Sequence, residues 1–492
     1  MPLHPVLVSI LCLIGLANLT GAATAGRPNV LLIAVDDLKP LLGAYGDALA
    51  RTPNIDRLAA SGTVLESAYC NQAVCAPSRN ALMTGLRPGT IGIYDLATHF
   101  RVGVPDAITV AQHFKAQGYR TEGLGKIYHV GHGNTDDVHS WSVDSFRAKG
   151  PGNYVSAESN KLPRGPAVEN ADVPDNAYAD GRVADEAVAR IVAAGARPDQ
   201  PFFIAVGFVK PHLPFCAPKK YWDMFDRSKF VLPTVTTAPE GAPSYAPTNW
   251  GELRNYGGIP ASGPIPPDQH RELIHGYYAA TAYMDAQVGR ILEALDRAKA
   301  SSNTIVVLWG DHGWHLGDHG MWAKHTNYEQ ASRIPVIIRA PGVTSPGTRT
   351  RALFETVDLY PTLVALAGLP SPATKPALDG RSFVATLRDP KAASKEAIFH
   401  FYPRSQRLGR AVRTDRYRLV EWKQVGAAPA TADLELYDYQ ADPLETKNLA
   451  ASQPEVVARL RALLATQPEA RAQVSTKGSA KKTTTKKKKQ QD

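Results

Sequence analysis

The sequence predicts an α/β fold, a sandwich built on a mostly parallel central sheet and followed by a smaller C-terminal α+β subdomain with a short antiparallel sheet. Three observations carry that prediction. Continuous apolar runs occur at Asn29–Val35 ("NVLLIAV"), 201–208 ("PFFIAVGF") and 303–309 ("NTIVVLW"), the pattern of strands covered by helices on both faces. Helix-like stretches alternate with these runs, as in layered α/β proteins. Each run also leads at once to polar residues, namely Asp36-Asp37, Lys210-Pro211-His212 and Gly310-Asp311-His312-Gly313. Open parallel sheets bind ligands at the carboxyl ends of their strands.

The chain has 492 residues, 44% of them apolar, which is ample for a large core. Residues 1–25 are largely apolar, have no Lys, Arg, Asp or Glu, and end Ala23-Thr24-Ala25. They read as an export signal cleaved near Gly26, because the apolar run 6–16 is too short to span a bilayer comfortably. No later segment reads as a membrane span. Cys70, Cys75 and Cys216 are the cysteines left after that cut, too few for a disulfide framework. No Asn-x-Ser/Thr sequon follows the signal. These features predict a periplasmic or extracellular protein of bacterial origin.

Within the body of the chain, Thr52-Pro53 opens a helix that Gly62 closes, and further helices are predicted at 178–194 and 272–300. A strand is predicted at 119–123. Eleven prolines lie between Pro211 and Pro267, and Trp222, Tyr245, Trp250 and Tyr256 make that stretch a rigid wall over a pocket. After Leu378-Asp379-Gly380-Arg381, short antiparallel strands are expected at 397–402, 411–413 and 417–422, with a final helix at 455–465. The organisation is therefore a signal at 1–25, a catalytic domain at 26–385, a C-terminal subdomain at 386–466 and a disordered Lys-rich tail at 467–492. Seven lysines and one aspartate from Lys477 onward supply +6 of the net charge of +9. The body is close to neutral, which gives no support to a nucleic-acid partner.

Asp36, Asp37, Asp311 and His312 follow two of the apolar strands. Carboxylates gathered at strand ends repel one another unless a cation sits among them. Their hard oxygens suit calcium or magnesium. Zinc is the rival, because His312, His315, His319 and His325 crowd one region and the first two have an H-x-x-H spacing. The motif Gly-Asp-His-Gly recurs at 317–320, but only its first copy follows an apolar strand. Lys126 and His129 ("GLGKIYH"), His212, Lys324 and Arg79 add donors, and together with a dication they would bind a tetrahedral oxyanion. Cys75, just before Ala-Pro-Ser-Arg, is open to three readings: a core thiol, a partner for Cys70 or Cys216, or a nucleophile.

The stretch Cys75-Ala76-Pro77-Ser78-Arg79, completed by Met83-Thr84-Gly85, resembles the signature of type I sulfatases, in which the cysteine is oxidised to formylglycine. The resemblance runs from "NVLLIAVDDL" to "ELYDYQADPLETKNL". The stretches "FIAVGFVKPHLPF", "TAYMDAQVGRIL" and "DHGWHLGDHGMWAKHTNYE" are similar to the iduronate-2-sulfatase subgroup. It implies an alkaline-phosphatase-like sandwich, one Ca2+ and a formylglycine made from Cys75 by a formylglycine-generating or other sulfatase-maturing enzyme. The expected substrate is a sulfated carbohydrate, with the sulfate on a uronate or related sugar of a polysaccharide. By the same resemblance Asp36, Asp37, Asp311, His312 and modified Cys75 bind the calcium. Arg79 and Lys126 hold the modified side chain and the sulfate, His129 acts on its hydroxyl, and His212 and Lys324 bind sulfate and assist the leaving group. A hydrated aldehyde suits this reaction, since one hydroxyl can attack sulfur and the other expel sulfate as the aldehyde re-forms. Two readings compete. One is a phosphatase or phosphonate hydrolase of the alkaline phosphatase superfamily, favoured by paired zinc ions. The other is a non-catalytic, calcium-stabilised glycan-binding protein with Cys75 left as a thiol.

Overall fold

Seven strands form the central sheet, in the spatial order Thr348–Thr350, Thr63–Leu65, Val336–Arg339, Thr304–Gly310, Asn29–Val35, Phe202–Phe208 and Arg120–Gly125. The computed structural model describes residues 26–474 apart from positions 151, 162, 163 and 250. The export signal read at 1–25, the lysines of the tail and Trp250 lie outside the described residues. Four neighbouring strands, from Thr304–Gly310 to Arg120–Gly125, run parallel. Val336–Arg339 runs antiparallel to its neighbours on either side. In the central register Val35 lies level with Phe208 on one side and Gly310 on the other, and Gly125 with Gly207. Asp36, Lys126 and Asp311 therefore leave the sheet side by side at one edge.

Alternation along Asn29–Val35 sorts its side chains into two cores. Val30, Leu32 and Ala34 join Leu82 and Met83 of the Cys75–Thr84 helix and Leu363 of the Leu359–Leu366 helix. Leu31, Ile33 and Val35 face Ile55, Val183, Met284 and Ile291 from the helices Pro53–Ala60, Ala179–Gly195 and Pro267–Arg297. A strand buried on both faces has no polar position, which is why it reads as one apolar run. Among the described residues no helix is long and apolar enough to cross a membrane.

The C-terminal part forms a four-stranded antiparallel sheet of Ile398–Arg404, Arg407–Arg413, Tyr417–Lys423 and Asp433–Asp438. Val457, Leu460 and Leu464 of the Pro454–Ala465 helix pack on it. Two features differ from the expected pattern. The strand expected at 411–413 begins at Arg407, with buried Arg410 ion-paired to Glu469 at 2.8 Å. Asp433–Asp438 was not expected as a strand, because its central Glu435 is charged in sequence yet buried in the fold. There it accepts hydrogen bonds from Trp422 Nε1 and Tyr437 Oη, both at 2.6 Å.

The proline-rich wall is tied down at several points. Phe215–Cys216 pairs with Val168–Glu169, Trp222 is buried against Gly276 of the longest helix, and Tyr245 meets Trp422 edge-on at 5.5 Å.

A buried ion network joins the C-terminal sheet to the catalytic layer. Arg418 donates to Glu329 at 2.7 Å and to Glu445 at 2.9 Å, and Tyr69 Oη donates to Glu329 at 2.9 Å. Burial alone would push the Glu329 carboxyl up, but Arg413, Arg418 and Arg333 outweigh it and hold the group down at about 2. Glu329→Ala should cost about 3 kcal/mol, because it strands buried Arg413, 3.4 Å from Glu329, and leaves Arg418 with Glu445 alone. The folded value lies below the usual 4.5, so this contribution is present at neutral pH and lost as pH falls from about 4.5 to about 2. Urea unfolding across that range checks the sign: Glu329→Gln should flatten the acid slope.

Candidate active site

The Cys75–Thr84 helix begins where the sheet edge collects its polar residues. Val74 is extended at the cap, and Pro77 sits in the first turn, where a missing N–H costs nothing. Gly85 ends the helix at φ 67°, where a Cβ would meet Leu378 at 2.8 Å. All ten helical residues are buried. The helix thus directs its free N–H groups and positive end at the site, an arrangement that favours anions.

Ligand atoms of Asp36, Asp37, Cys75 and His312 lie within 4.8 Å of one another, all buried. Cys75 Sγ is 3.4 Å from His312 Nε2 and 3.7 Å from Lys126 Nζ. Asp311 stands at the rim of this group. Its Oδ1 is 3.6 Å from His312 Nε2 and accepts the Asp37 N–H at 3.0 Å, while its Oδ2 accepts from Arg79 Nε at 2.9 Å. One turn after Cys75, Arg79 reaches back across the same face, donating to Asp36 at 3.2 Å and to the Lys126 carbonyl. Lys126 also pairs with Asp36. The Asp37 backbone sits at φ 57°, held by Tyr277, whose hydroxyl donates to its carbonyl at 2.8 Å.

The charges are unevenly matched. Burial would raise Asp36, but Lys126 and Arg79 outweigh it and hold the carboxyl well below its ordinary value. Burial drives Asp37 well above its ordinary value, with Lys324 and His312 offsetting only part of that. Asp311 is also raised, by burial and by the charge on Asp36. Asp37 Oδ1 is buried with no hydrogen-bond partner among the described residues. An orphaned carboxylate oxygen beside further carboxylates and an imidazole fits a hard divalent cation. The Cys75 thiol is pushed up to about 12 by burial and by Asp36, so the unmodified side chain is not a thiolate nucleophile at neutral pH.

Two arms of donors flank this centre. Lys126 and His129 follow the Arg120–Gly125 strand and line a cavity of about 350 Å³ with His212, Arg147 and Tyr256. Opposite them, Lys324 Nζ lies 3.2 Å from Asp37 Oδ2 and 3.2 Å from His212 Nε2, over the Trp314 ring at 4.8 Å. Burial and the Lys324 charge hold His212 well below its ordinary value. The structure thus brings together every residue the sequence singled out, from Asp36 to Lys324. It turns two of the other histidines to separate partners: His315 Nε2 pairs with Thr326 at 3.0 Å, and His319 Nδ1 with the Thr237 carbonyl at 3.1 Å. The H-x-x-H spacing does not converge. The second Gly-Asp-His-Gly copy turns its Asp318 to Lys39 at 3.2 Å.

Sequence reasoning missed two neighbours. Glu252, in the proline-rich wall, meets Lys324 at 3.1 Å and His212 at 3.4 Å. No periodicity marks it, and only its distance from the strand ends in sequence hid it. His132 lies three residues after His129, in a Gly-His-Gly turn, with its Nδ1 3.2 Å from His129 Nε2.

Comparison with known proteins agrees with this geometry. The family model described as Sulfatase matches residues 28–369, and one described as N-sulphoglucosamine sulphohydrolase, C-terminal, matches 317–470. The iduronate 2-sulfatase of Mus musculus is 36% identical over 72% of this chain and 71% of its own length. That of Homo sapiens is 33% identical over 87% of this chain and 92% of its own. Two solved structures share the fold. One is a protein in complex with its substrate D-glucosamine-2-N,6-O-disulfate, with TM-score 0.71, 21% identity and coverage of 89% of this chain and 97% of that one. The other is a phosphonate monoester hydrolase from Silicibacter pomeroyi, with TM-score 0.71, 23% identity and coverage of 89% and 94%. By its family match and by these identities over most of its length, the chain belongs to the sulfatase family of sulfuric ester hydrolases.

Proposed function

We propose that this chain hydrolyses O-sulfate esters on a uronate or related sugar of a sulfated polysaccharide, with Cys75 oxidised to formylglycine and one calcium ion held by Asp36, Asp37, Asp311, His312 and residue 75. The observation that carries the proposal is the meeting of Cys75 with Asp36, Asp37 and His312 around an orphaned carboxylate oxygen at a helix N-terminus. The similarity to iduronate 2-sulfatases supports the uronate, and the disulfated glucosamine complex of a structural relative supports a sulfated sugar. When present, the calcium neutralises sulfate charge, and the hydrated aldehyde supplies a nucleophilic hydroxyl that is regenerated afterwards.

The chain's own residues do the rest. Arg79 neutralises Asp36 and Asp311 and keeps both carboxylates turned to the centre. Lys126, 3.7 Å from Cys75 Sγ, meets negative charge arriving at position 75. His129 takes up a proton on that side. Across the site, His212 Nδ1 donates to the Leu213 carbonyl at 2.6 Å, so its Nε2 accepts from Lys324. The proton available to a departing sugar oxygen is therefore held by Lys324. Export, maturation by a separate enzyme and a periplasmic or extracellular setting complete the proposal.

The test is release of inorganic sulfate from a panel of sulfated disaccharides by protein expressed with a sulfatase-maturing enzyme. Sulfated uronate units should be preferred. Preference for phosphate or phosphonate esters would overturn the reading in favour of a phosphohydrolase, and tight glycan binding without turnover would favour a binding protein. Lys324→Ala should lower kcat/KM on a sugar sulfate by about 10²–10⁴-fold. The loss should be smaller on an aryl sulfate, whose leaving group needs no proton. Equal losses on the two substrates would remove Lys324 from that role.

A further inference from the structure

The loop after the Arg120–Gly125 strand carries two histidines in contact. Gly131 and Asn134 exchange backbone hydrogen bonds at 3.1 and 2.8 Å, and the Asn134 side chain donates to the Leu96 carbonyl at 3.1 Å. This tight turn holds His132 at φ 54°, a left-handed backbone unusual for a residue with a Cβ. Turned back in this way, the His132 ring lies edge to edge with His129, with centroids 5.4 Å apart and planes 16° from parallel. His129 Nε2 lies 3.2 Å from His132 Nδ1. His129 is buried and His132 exposed, so the pair leads from the cavity to solvent.

His129 has a difficulty as a proton acceptor. Burial and the charge on Lys126 push it down to about 3, so it cannot keep a second proton near neutrality. A neutral imidazole can still accept at one nitrogen if it gives up the proton on the other. His129 Nδ1 is buried with no hydrogen-bond partner among the described residues. Lys126, joined by Arg79, outweighs the opposing charge of Asp36 on this ring, and the net field favours a bare lone pair over an unpaired N–H.

We propose that His132 is a positioning residue for His129, accepting its Nε2 proton and so leaving Nδ1 free to take up a proton within the site. In the transfer an N–H bond forms at His129 Nδ1 while the Nε2–H bond breaks, its hydrogen passing to His132 Nδ1. His132 then releases its Nε2 proton to water. Each ring ends neutral with one proton, and once product has left, the reverse movement resets both tautomers, His129 Nδ1 giving its proton to water that enters the site and His132 Nε2 regaining one from solvent. The inference rests on the sulfatase reading for the reaction served, but the pairing of the rings does not.

Two measurements test it. In the unmatured protein, with its thiol at Cys75, long-range 1H–15N spectra of labelled imidazoles should show His129 protonated at Nε2 and bare at Nδ1. His132→Ala should mix the tautomers, whereas His132→Asn, whose amide oxygen replaces the acceptor, should preserve them. In matured protein both variants should lose about 10²-fold in kcat with KM unchanged, since neither can pass a proton on. Added imidazole should restore much of the loss in His132→Ala. The proposal is overturned by a parent His129 protonated at Nδ1, by parental kcat in His132→Ala, or by a loss that raises KM and resists imidazole. If the parent released no sulfate from any ester, the sulfatase reading would fail, while the spectra would still decide the histidine pair.

Discussion

Cys75→Ala should abolish sulfate release, by on the order of 10⁴-fold or more, while leaving the fold intact. The unmatured protein with its native thiol should be equally inactive. Cys75 is buried and lies 3.4 Å from His312 and 3.7 Å from Lys126, so in the proposed reaction its side chain would meet the sulfate. Burial and the charge on Asp36 push the thiol up to about 12, so the side chain at position 75 is a neutral thiol at pH 7. An ordinary cysteine therefore supplies little nucleophile, which supports the oxidised form proposed above. Loss of one sulfur atom from the core costs roughly 1 kcal/mol, too little to unfold a protein of this size. Mass spectrometry of the peptide holding Cys75, set beside sulfate release and the unfolding midpoint, checks the whole chain of reasoning. An active native enzyme whose peptide retains an intact thiol would refute it.

Removal of the metal is expected to be nearly as costly. Asp37 carries an oxygen with no hydrogen-bond partner among the described residues, and burial drives it well above the ordinary carboxylate range. Lys324 is its one close ammonium partner, at 3.2 Å. A bound dication would reverse that imbalance. Chelation should abolish turnover and lower the melting temperature, and calcium should restore both. Calcium at 100 times its dissociation constant would stabilise the fold by about 2.7 kcal/mol. Asp37→Asn should remove the thermal response to calcium and lower kcat by on the order of 10³-fold. Zinc-only rescue would instead support the phosphatase reading.

What could be foreseen followed from burial. Asn29–Val35 and the runs around Phe202–Phe208 and Thr304–Gly310 lie under helices on both faces, so no polar residue interrupts them and their ends are legible to within a residue. The acids and the histidine at those ends could then be grouped before any distance was known. Cys75, Pro77 and Arg79 were legible through their resemblance to a known signature, and in the fold the proline falls in a first helical turn, where it is tolerated. Other features depend on contacts between distant segments. Glu435 looks like a surface residue until Trp422 and Tyr437 close over it. Glu252 reaches the site from a wall whose path is set by packing against Trp422 and the longest helix, and the role proposed for His132 depends on a single left-handed turn. Asp311 was foreseen as an equal member of the acidic group, yet its Oδ2 is taken by Arg79.

The complete enclosure of the Cys75–Thr84 segment also sets an order of events in biogenesis. The maturing enzyme proposed above would have to reach Cys75, and in the finished protein Cys75, Pro77 and Arg79 are sealed beneath neighbouring layers. On that proposal, oxidation of the thiol would come first and folding second. A chain that folds early is committed to a stable but inert form, so the yield of active protein should depend on how quickly the maturing enzyme meets the newly made polypeptide.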